Sequence, residues 1–155
     1  MAREPEFLAG LDDRAATDVL ALARPVRLEA GDVLFCLGSE ASNLYLVERG
    51  LVALTMPLQV GGREENVLIE ERIPGQTLGW STLIPPHRFT LTAAAPVETE
   101  LLAFARDTLV QYFDRRPDVG YVISRNVAAL VGQRLQVFQA MWLRQMQRIV
   151  NQAHA

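Results

Sequence analysis

The chain has 155 residues, half of them apolar, which suits one domain with a sizeable core but is too short for two full domains. Its formal net charge of -3 excludes the broadly basic surface that DNA-binding proteins use. The first ten residues carry acidic side chains and no long apolar run, and no later window approaches a membrane-spanning length. We therefore expect a cytoplasmic protein without a membrane segment.

The N-terminal region, residues 7–24, has the apolar spacing of a short amphipathic helix, with Asp12 and Asp13 able to cap its start. From residue 26 to residue 104 the pattern changes to short apolar runs separated by glycines, of which Gly61-Gly62 predicts a hairpin tip. The predicted strands are Val26–Leu28, Val33–Leu37, Leu44–Glu48, Leu51–Met56, Val67–Ile73, Thr90–Ala94 and Val97–Phe104. Many short strands with tight turns indicate a closed or doubled antiparallel sheet.

The single cysteine, Cys36, excludes an internal disulfide. It stands within the apolar run Val33–Leu37, so we expect an ordinary buried thiol.

Residues 107–152 are predicted to form the C-terminal helices, a short one over Asp107–Arg115 and a long one that begins at Pro117. The long helix carries an apolar seam at coiled-coil spacing, made of Val131, Leu135, Phe138, Trp142 and Ile149. A second apolar row lies beside it, made of Val127, Leu130, Val137 and Met141. A helix with two apolar faces needs two surfaces to bury them, so we expect one face against the β-domain and the seam in a homodimer interface.

One segment concentrates groups able to bind a ligand, the stretch between Pro74 and Ala95. It contains a strand end, a glycine turn, a short helical start at Trp80 and Ser81, and an arginine, Arg88, before the next strand. Backbone N–H groups at a helix start and a guanidinium are both donors to an anion. The segment therefore predicts an anion pocket.

The order of elements and several motifs resemble the cyclic nucleotide-binding domain of the catabolite activator protein and its relatives. The resemblance rests on Leu28–Phe35, Gly38, Ala41-Ser42, Leu44–Val47 and Gly50, and it extends over residues 8–150. It implies a mainly β fold with flanking helices: a double-stranded β-helix (jelly roll or β-roll) in a single domain, residues 1–155. It also implies a phosphate-binding cassette, residues 75–92, that holds a cyclic nucleotide under the long helix, with Arg88 neutralising its phosphate.

Two residues depart from the family pattern. Trp80 stands where the family places a glutamate that accepts a hydrogen bond from the ribose, and Phe89 stands where a small residue is common. An indole in that place either stacks on a base or fills the pocket, and the sequence leaves both possibilities open. The predicted ligand-binding residues are Gly79, Trp80, Ser81, Arg88, Phe89 and Thr90.

An enzyme of the metal-binding double-stranded β-helix type needs two or three clustered histidines. This chain has two, His87 beside the cassette and His154 near the C-terminus, and neither Ser39 nor Ser81 has a histidine at a spacing typical of a catalytic pair. We therefore predict no catalytic residue, no metal and no cofactor; the expected ligand is a cyclic nucleotide or a related phosphorylated molecule.

Two hypotheses about function follow. In the first, the chain is a sensor that binds a phosphorylated ligand and signals through its C-terminal helix to a downstream protein partner. In the second, Trp80 and Phe89 plug the pocket, and the chain is a ligand-free interaction and dimerisation protein, acting with a separate transcription regulator. Transcription factors of the family continue into a helix-turn-helix domain, whereas this sequence ends at Ala155, so we expect no direct DNA binding.

Overall fold

The structure, a computed structural model, describes residues 4–155, so residues 1–3 of the predicted domain lie outside the described residues. Its helices are α1 (Asp13–Leu20), α2 (Arg106–Arg115) and α3 (Pro117–Ala153), with 3-10 turns at Glu6–Leu8 and Trp80–Leu83. The strands are β1 (Arg24–Leu28), β2 (Val33–Phe35), β3 (Asn43–Arg49), β4 (Val52–Val60), β5 (Arg63–Arg72), β6 (Thr77–Leu78), β7 (Thr92–Ala94) and β8 (Thr99–Ala105).

The strands form two four-stranded antiparallel sheets, ordered β1-β8-β3-β6 and β2-β7-β4-β5. The longest pairing, β4 with β5, closes at Val60 opposite Arg63 around the Gly61-Gly62 turn. Both glycines have positive φ, as a two-residue hairpin of this kind requires. The predicted class, a mainly β jelly roll with flanking helices, is confirmed.

The N-terminal region differs from the single helix predicted over residues 7–24. A 3-10 turn ends before Gly10, whose φ of 89° cannot continue a helix, and α1 begins only at Asp13. Asp12 caps α1, because its side chain accepts a hydrogen bond from the N–H of Ala15 at 2.7 Å. The glycine therefore divides the predicted helix, while the predicted cap is present.

Two hydrophobic cores hold the domain together. One lies between the two sheets and includes Val47, Val52 and Leu101. The other lies between the first sheet and the helices, where Ile123 and Val127 of α3 pack. Because α3 has buried residues only as far as Arg134, its C-terminal part is held by few contacts with the roll. None of the helices within residues 4–155 combines the length and apolar character needed to cross a membrane.

Cys36 is exposed, so the prediction of a buried thiol is wrong. Phe35, the last residue of β2, points into the core between the sheets. Successive side chains of a strand point to opposite faces, which leaves the next residue on the outside.

Gly50 sits in the turn between β3 and β4, where a Cβ would lie 2.5 Å from the carbonyl oxygen of Glu98 and 2.5 Å from Oγ1 of Thr99. Gly31 has almost the same φ, 92° against 91°, but a Cβ there would meet nothing within 4 Å. The two positions share the backbone strain and differ only in the space available.

We therefore expect Gly31→Ala to lower the free energy of unfolding by about 1–2 kcal/mol, the cost of the left-handed conformation. Gly50→Ala should cost a further 1–3 kcal/mol or so, because the methyl group overpacks the turn. Urea-induced unfolding followed by circular dichroism measures both. Equal losses in the two variants would contradict the close approach at Gly50.

Candidate functional site

The cassette begins where β6 pairs with β3 and the chain turns through Gly79. Gly79 has a φ of 82°, and a Cβ on it would lie 3.0 Å from the carbonyl oxygen of Asn43. The same oxygen accepts a hydrogen bond from Oγ1 of Thr82 at 2.8 Å, which anchors the turn on β3. The N–H groups of Trp80 and Ser81 then start the 3-10 turn, and they donate to no backbone acceptor within residues 4–155.

A cavity lies beside this turn, beneath α3. Its volume is about 20 Å³, room for one water molecule. Five of the six predicted ligand-binding residues line it, since Gly79, Trp80, Ser81, Phe89 and Thr90 all border the space. The other lining residues are Phe35, Leu54, Leu91 and Arg134.

The Trp80 side chain fills most of the space where a ligand would lie. Its residue is only 9% exposed, and the guanidinium carbon of Arg134, a residue of α3 that is 7% exposed, lies 4.1 Å from the centre of the indole. A guanidinium at this distance over an aromatic face is held by a cation–π interaction, which is strongest when the pair is desolvated. The indole and α3 therefore close the pocket together.

Glu70 of β5 completes this arrangement. Its Oε2 accepts hydrogen bonds from Nε of Arg134 at 2.8 Å and from Nη2 at 2.6 Å. Burial lowers the pKa of Arg134, whereas the hydrogen bond and the charge of Glu70 act in the opposite direction. The guanidinium remains charged because its ordinary pKa is far above neutral. We call these three residues the Trp80–Arg134–Glu70 cluster.

A second arginine extends the cluster toward the N-terminus. Nη1 of Arg72 lies 3.8 Å from Glu70 Oε2, and its Nη2 lies 2.7 Å from Oε1 of Glu6. Glu6 also accepts from the N–H of Thr77 at 2.8 Å, and Nε of Arg72 donates to the Thr77 carbonyl at 3.0 Å. Alternating charges thus connect the N-terminal segment, β5, the cassette and α3.

A β-bulge directs Glu70 toward the cluster. In the β4–β5 ladder Leu54 is opposite Glu70 but Thr55 is opposite Leu68, so Ile69 is an extra residue. Such a bulge reverses the alternation of side chains along a strand. Glu70 and Arg72 are consequently turned inward after the bulge, and Glu71 stays exposed.

Arg88 is the predicted site residue that the structure leaves outside the cavity. Phe89 points inward, with its ring stacked on Phe35 at a centroid distance of 3.6 Å, and its N–H donates to the carbonyl of Ser39. Alternation along the extended chain therefore points Arg88 outward, where Nη1 donates to the Gly38 carbonyl at 3.0 Å.

Arg134 and Glu70 are the site residues that the sequence analysis missed. The row Val127, Leu130, Val137 and Met141 skips one position at its regular spacing, and that position is Arg134. A charge within an otherwise apolar helical row was the available signal, because such a residue is buried only with a partner. Nothing comparable identified Glu70.

The predicted seam residues fall into two groups. Val131 and Phe138 are half-buried against the hydrophobic cores. Leu135, Trp142 and Ile149 are 57%, 61% and 55% exposed. The seam therefore faces solvent at seven-residue intervals along α3.

The described residues contain no group of three or more histidine, cysteine, aspartate or glutamate side chains that could hold a metal ion. Nδ1 of His87 lies 3.3 Å from the carbonyl oxygen of Ser81, and His154 follows the end of α3. The two histidines are thus at separate places in the fold.

Comparison with known proteins bears on this site. The family model of the cyclic nucleotide-binding domain matches residues 25–116, a range that includes the whole cassette. The cyclic AMP receptor protein of Thermus thermophilus is 31% identical over 106 residues, which are 68% of this chain and 46% of that protein. The chain thus matches about half the length of this curated relative.

Two solved structures share the fold. The N-terminal domain of a transcriptional regulator from Streptomyces coelicolor is 29% identical with a TM-score of 0.70, and the match covers 86% of this chain and 91% of that one. The catabolite activator protein of Thermus thermophilus is 26% identical with a TM-score of 0.74, over 92% and 63% of the two chains. The predicted family resemblance is confirmed.

The ion pair in the Trp80–Arg134–Glu70 cluster predicts a large difference between neighbouring glutamates. Glu70→Gln leaves the buried guanidinium without its counter-charge, so we expect the free energy of unfolding to fall by roughly 1.5–3 kcal/mol. Glu71→Gln, on the exposed face of the same strand, should change it by less than about 0.5 kcal/mol. Urea unfolding curves of the two variants make the comparison. Equal effects would show that the pair contributes nothing to stability.

Proposed function

The chain belongs to the cyclic nucleotide-binding domain family, and from this premise we propose that it is a regulatory module that binds a phosphorylated small ligand of the cyclic nucleotide class. The observation that carries the proposal is the set of donors around the cavity within the family fold. They are the N–H groups of Trp80 and Ser81, the Ser81 hydroxyl and the Arg134 guanidinium. Donors that converge on one space favour an anionic ligand.

The pocket must open before such a ligand binds. Small-molecule sites usually have volumes of about 300–1,000 Å³, and the cavity here has about 20 Å³. Binding therefore requires the Trp80 indole to leave, and the apparent affinity is reduced by the fraction of molecules in which it has left. In this proposal the indole competes with the ligand rather than stacking on it.

Signalling through α3 follows from the contact between Arg134 and Trp80. Because Arg134 belongs to α3, displacement of the indole removes a contact that holds the helix against the cassette. A ligand shifts a conformational equilibrium by the difference in its affinity for the two states. Here the open state alone has room for the ligand, so ligand binding favours the α3 position of that state.

We also propose that the chain forms a homodimer through the seam. Leu135, Trp142 and Ile149 expose large apolar side chains at the spacing of a two-stranded coiled coil. A second copy of α3 presents the same stripe, so the two stripes can cover each other around a twofold axis. A downstream protein partner that senses the change at α3 completes the regulatory proposal.

A second candidate function is a ligand-free interaction module. The small cavity and the outward direction of Arg88 favour it, because both remove features that a cyclic nucleotide would use. In that case the dimer helix alone would carry the function.

Ligand binding is the measurement that separates the two candidates. We expect at least one of cyclic AMP, cyclic GMP and cyclic di-GMP to bind in isothermal titration calorimetry. At a hundred times its dissociation constant it should stabilise the fold by about 2.7 kcal/mol. Cyclic AMP is the first probe because the Thermus relative is a cyclic AMP receptor protein.

Trp80→Ala should raise the affinity about tenfold or more, since the pocket no longer has to expel an indole. Trp80→Phe keeps an aromatic ring in the pocket and serves as the matched control, with a smaller gain. No binding of any probe to the native chain or to Trp80→Ala would contradict the sensor function and favour the interaction module.

The dimer has its own test in sedimentation equilibrium at micromolar concentration. We expect the native chain to sediment as a dimer and Trp142→Glu as a monomer, because the variant buries a charge in an apolar seam. Ala140→Glu is the control, since Ala140 is exposed on the opposite side of the helix. A monomeric native chain, or equal dissociation in both variants, would contradict the seam.

A further inference from the structure

The inference concerns which side chain binds the ligand's anionic group, and it rests on the proposed ligand-binding function. Among the residues that line the cavity within residues 4–155, Arg134 is the one with a charged side chain. Its guanidinium is almost fully buried beside the turn that presents the N–H groups of Trp80 and Ser81. Arg88, by contrast, is directed outward to the Gly38 carbonyl.

The Arg134 guanidinium already binds one anion, the Glu70 carboxylate. The contacts use Nε and Nη2, and both N–H donors reach the same oxygen, Oε2. A guanidinium carries five N–H donors in one plane, a pattern that matches carboxylate and phosphate equally well. Glu70 therefore occupies the guanidinium in the closed pocket as a phosphate would occupy it in the open one.

Glu70 has a second cationic partner if it loses Arg134. Nη1 of Arg72 lies 3.8 Å from the same Oε2, and Arg72 is itself fixed by Glu6 and by the Thr77 carbonyl. A carboxylate that is released next to a held arginine does not become an isolated buried charge. The alternating charges thus make the release of Arg134 much less costly than breaking a lone ion pair.

We propose that the ligand's phosphate replaces Glu70 as the partner of Arg134 when the Trp80 indole leaves. Arg134 on α3, rather than Arg88 in the cassette, is then the anion-binding arginine of this chain. Glu70 is its competitor, which holds the guanidinium against the indole while no ligand is present. The exchange takes place on α3 itself, one residue before Leu135 of the seam, so ligand binding and helix position change together.

Calorimetric affinities of three glutamine variants test the exchange, with the cyclic nucleotide that binds the native chain as the probe. Arg134→Gln should weaken binding at least tenfold or so, because it removes a charge-assisted contact with the phosphate. Glu70→Gln should strengthen binding several-fold, because the closed pocket loses its competing anion. Arg88→Gln is the matched control, an arginine outside the cavity, and should stay within about twofold.

A folding defect cannot imitate this pattern, because Glu70→Gln is expected to gain affinity although it lowers stability. Arg134→Lys adds a second check: it keeps the charge but loses the planar fork, so its affinity should lie between those of the native chain and Arg134→Gln. Thermal melts of every variant confirm that each is folded at the temperature of the titration.

Other results would overturn the exchange while leaving the sensor function intact. One is a loss of binding in Arg88→Gln with native affinity in Arg134→Gln. Another is weaker binding in Glu70→Gln, which would make Glu70 a residue that positions Arg134 instead of competing for it. If no probe binds the native chain, Trp80→Ala or Glu70→Gln, the proposed function fails and the exchange fails with it.

Discussion

The contact on which the site depends is that of the Arg134 guanidinium with the Trp80 indole and the Glu70 carboxylate. It joins three parts of the fold that have no other reason to share a position: the cassette, β5 and the long helix. Desolvation of a charge is expensive, and the pairing with Glu70 and Arg72 offsets much of that cost. Because a buried ion pair adds little net stability, its main effect here is to fix where α3 rests on the roll.

Much of the fold could be predicted because its signals are local. The strands alternate or form short apolar runs, the Gly61-Gly62 pair marks the hairpin, and Pro117 marks the start of α3. Turn chemistry and helix starts of this kind depend on neighbouring residues alone. The division of the first helix at Gly10 was missed because a single glycine inside an apolar helical pattern is often tolerated.

The site was harder to predict because it depends on which way side chains point. Arg88 and Phe89 are adjacent, and a shift of one residue in the strand exchanges the inward and outward positions. Glu70 is turned inward by the extra residue Ile69, and nothing in a single sequence places a bulge there. The residues near the turn itself, from Gly79 to Ser81, could be predicted because a positive-φ glycine before a helical start is a local feature.

The pocket and the seam cannot behave independently, because they are parts of one rigid helix. Arg134 faces the cavity, while Leu135 faces solvent on the neighbouring position. Trp142 lies eight residues beyond Arg134, roughly 12 Å along the axis at 1.5 Å per residue. Any rotation that takes the guanidinium off the indole must therefore turn the whole stripe of the seam. If a partner helix holds that stripe in one orientation, linkage requires that dimerisation change ligand affinity by the same factor as ligand changes dimerisation.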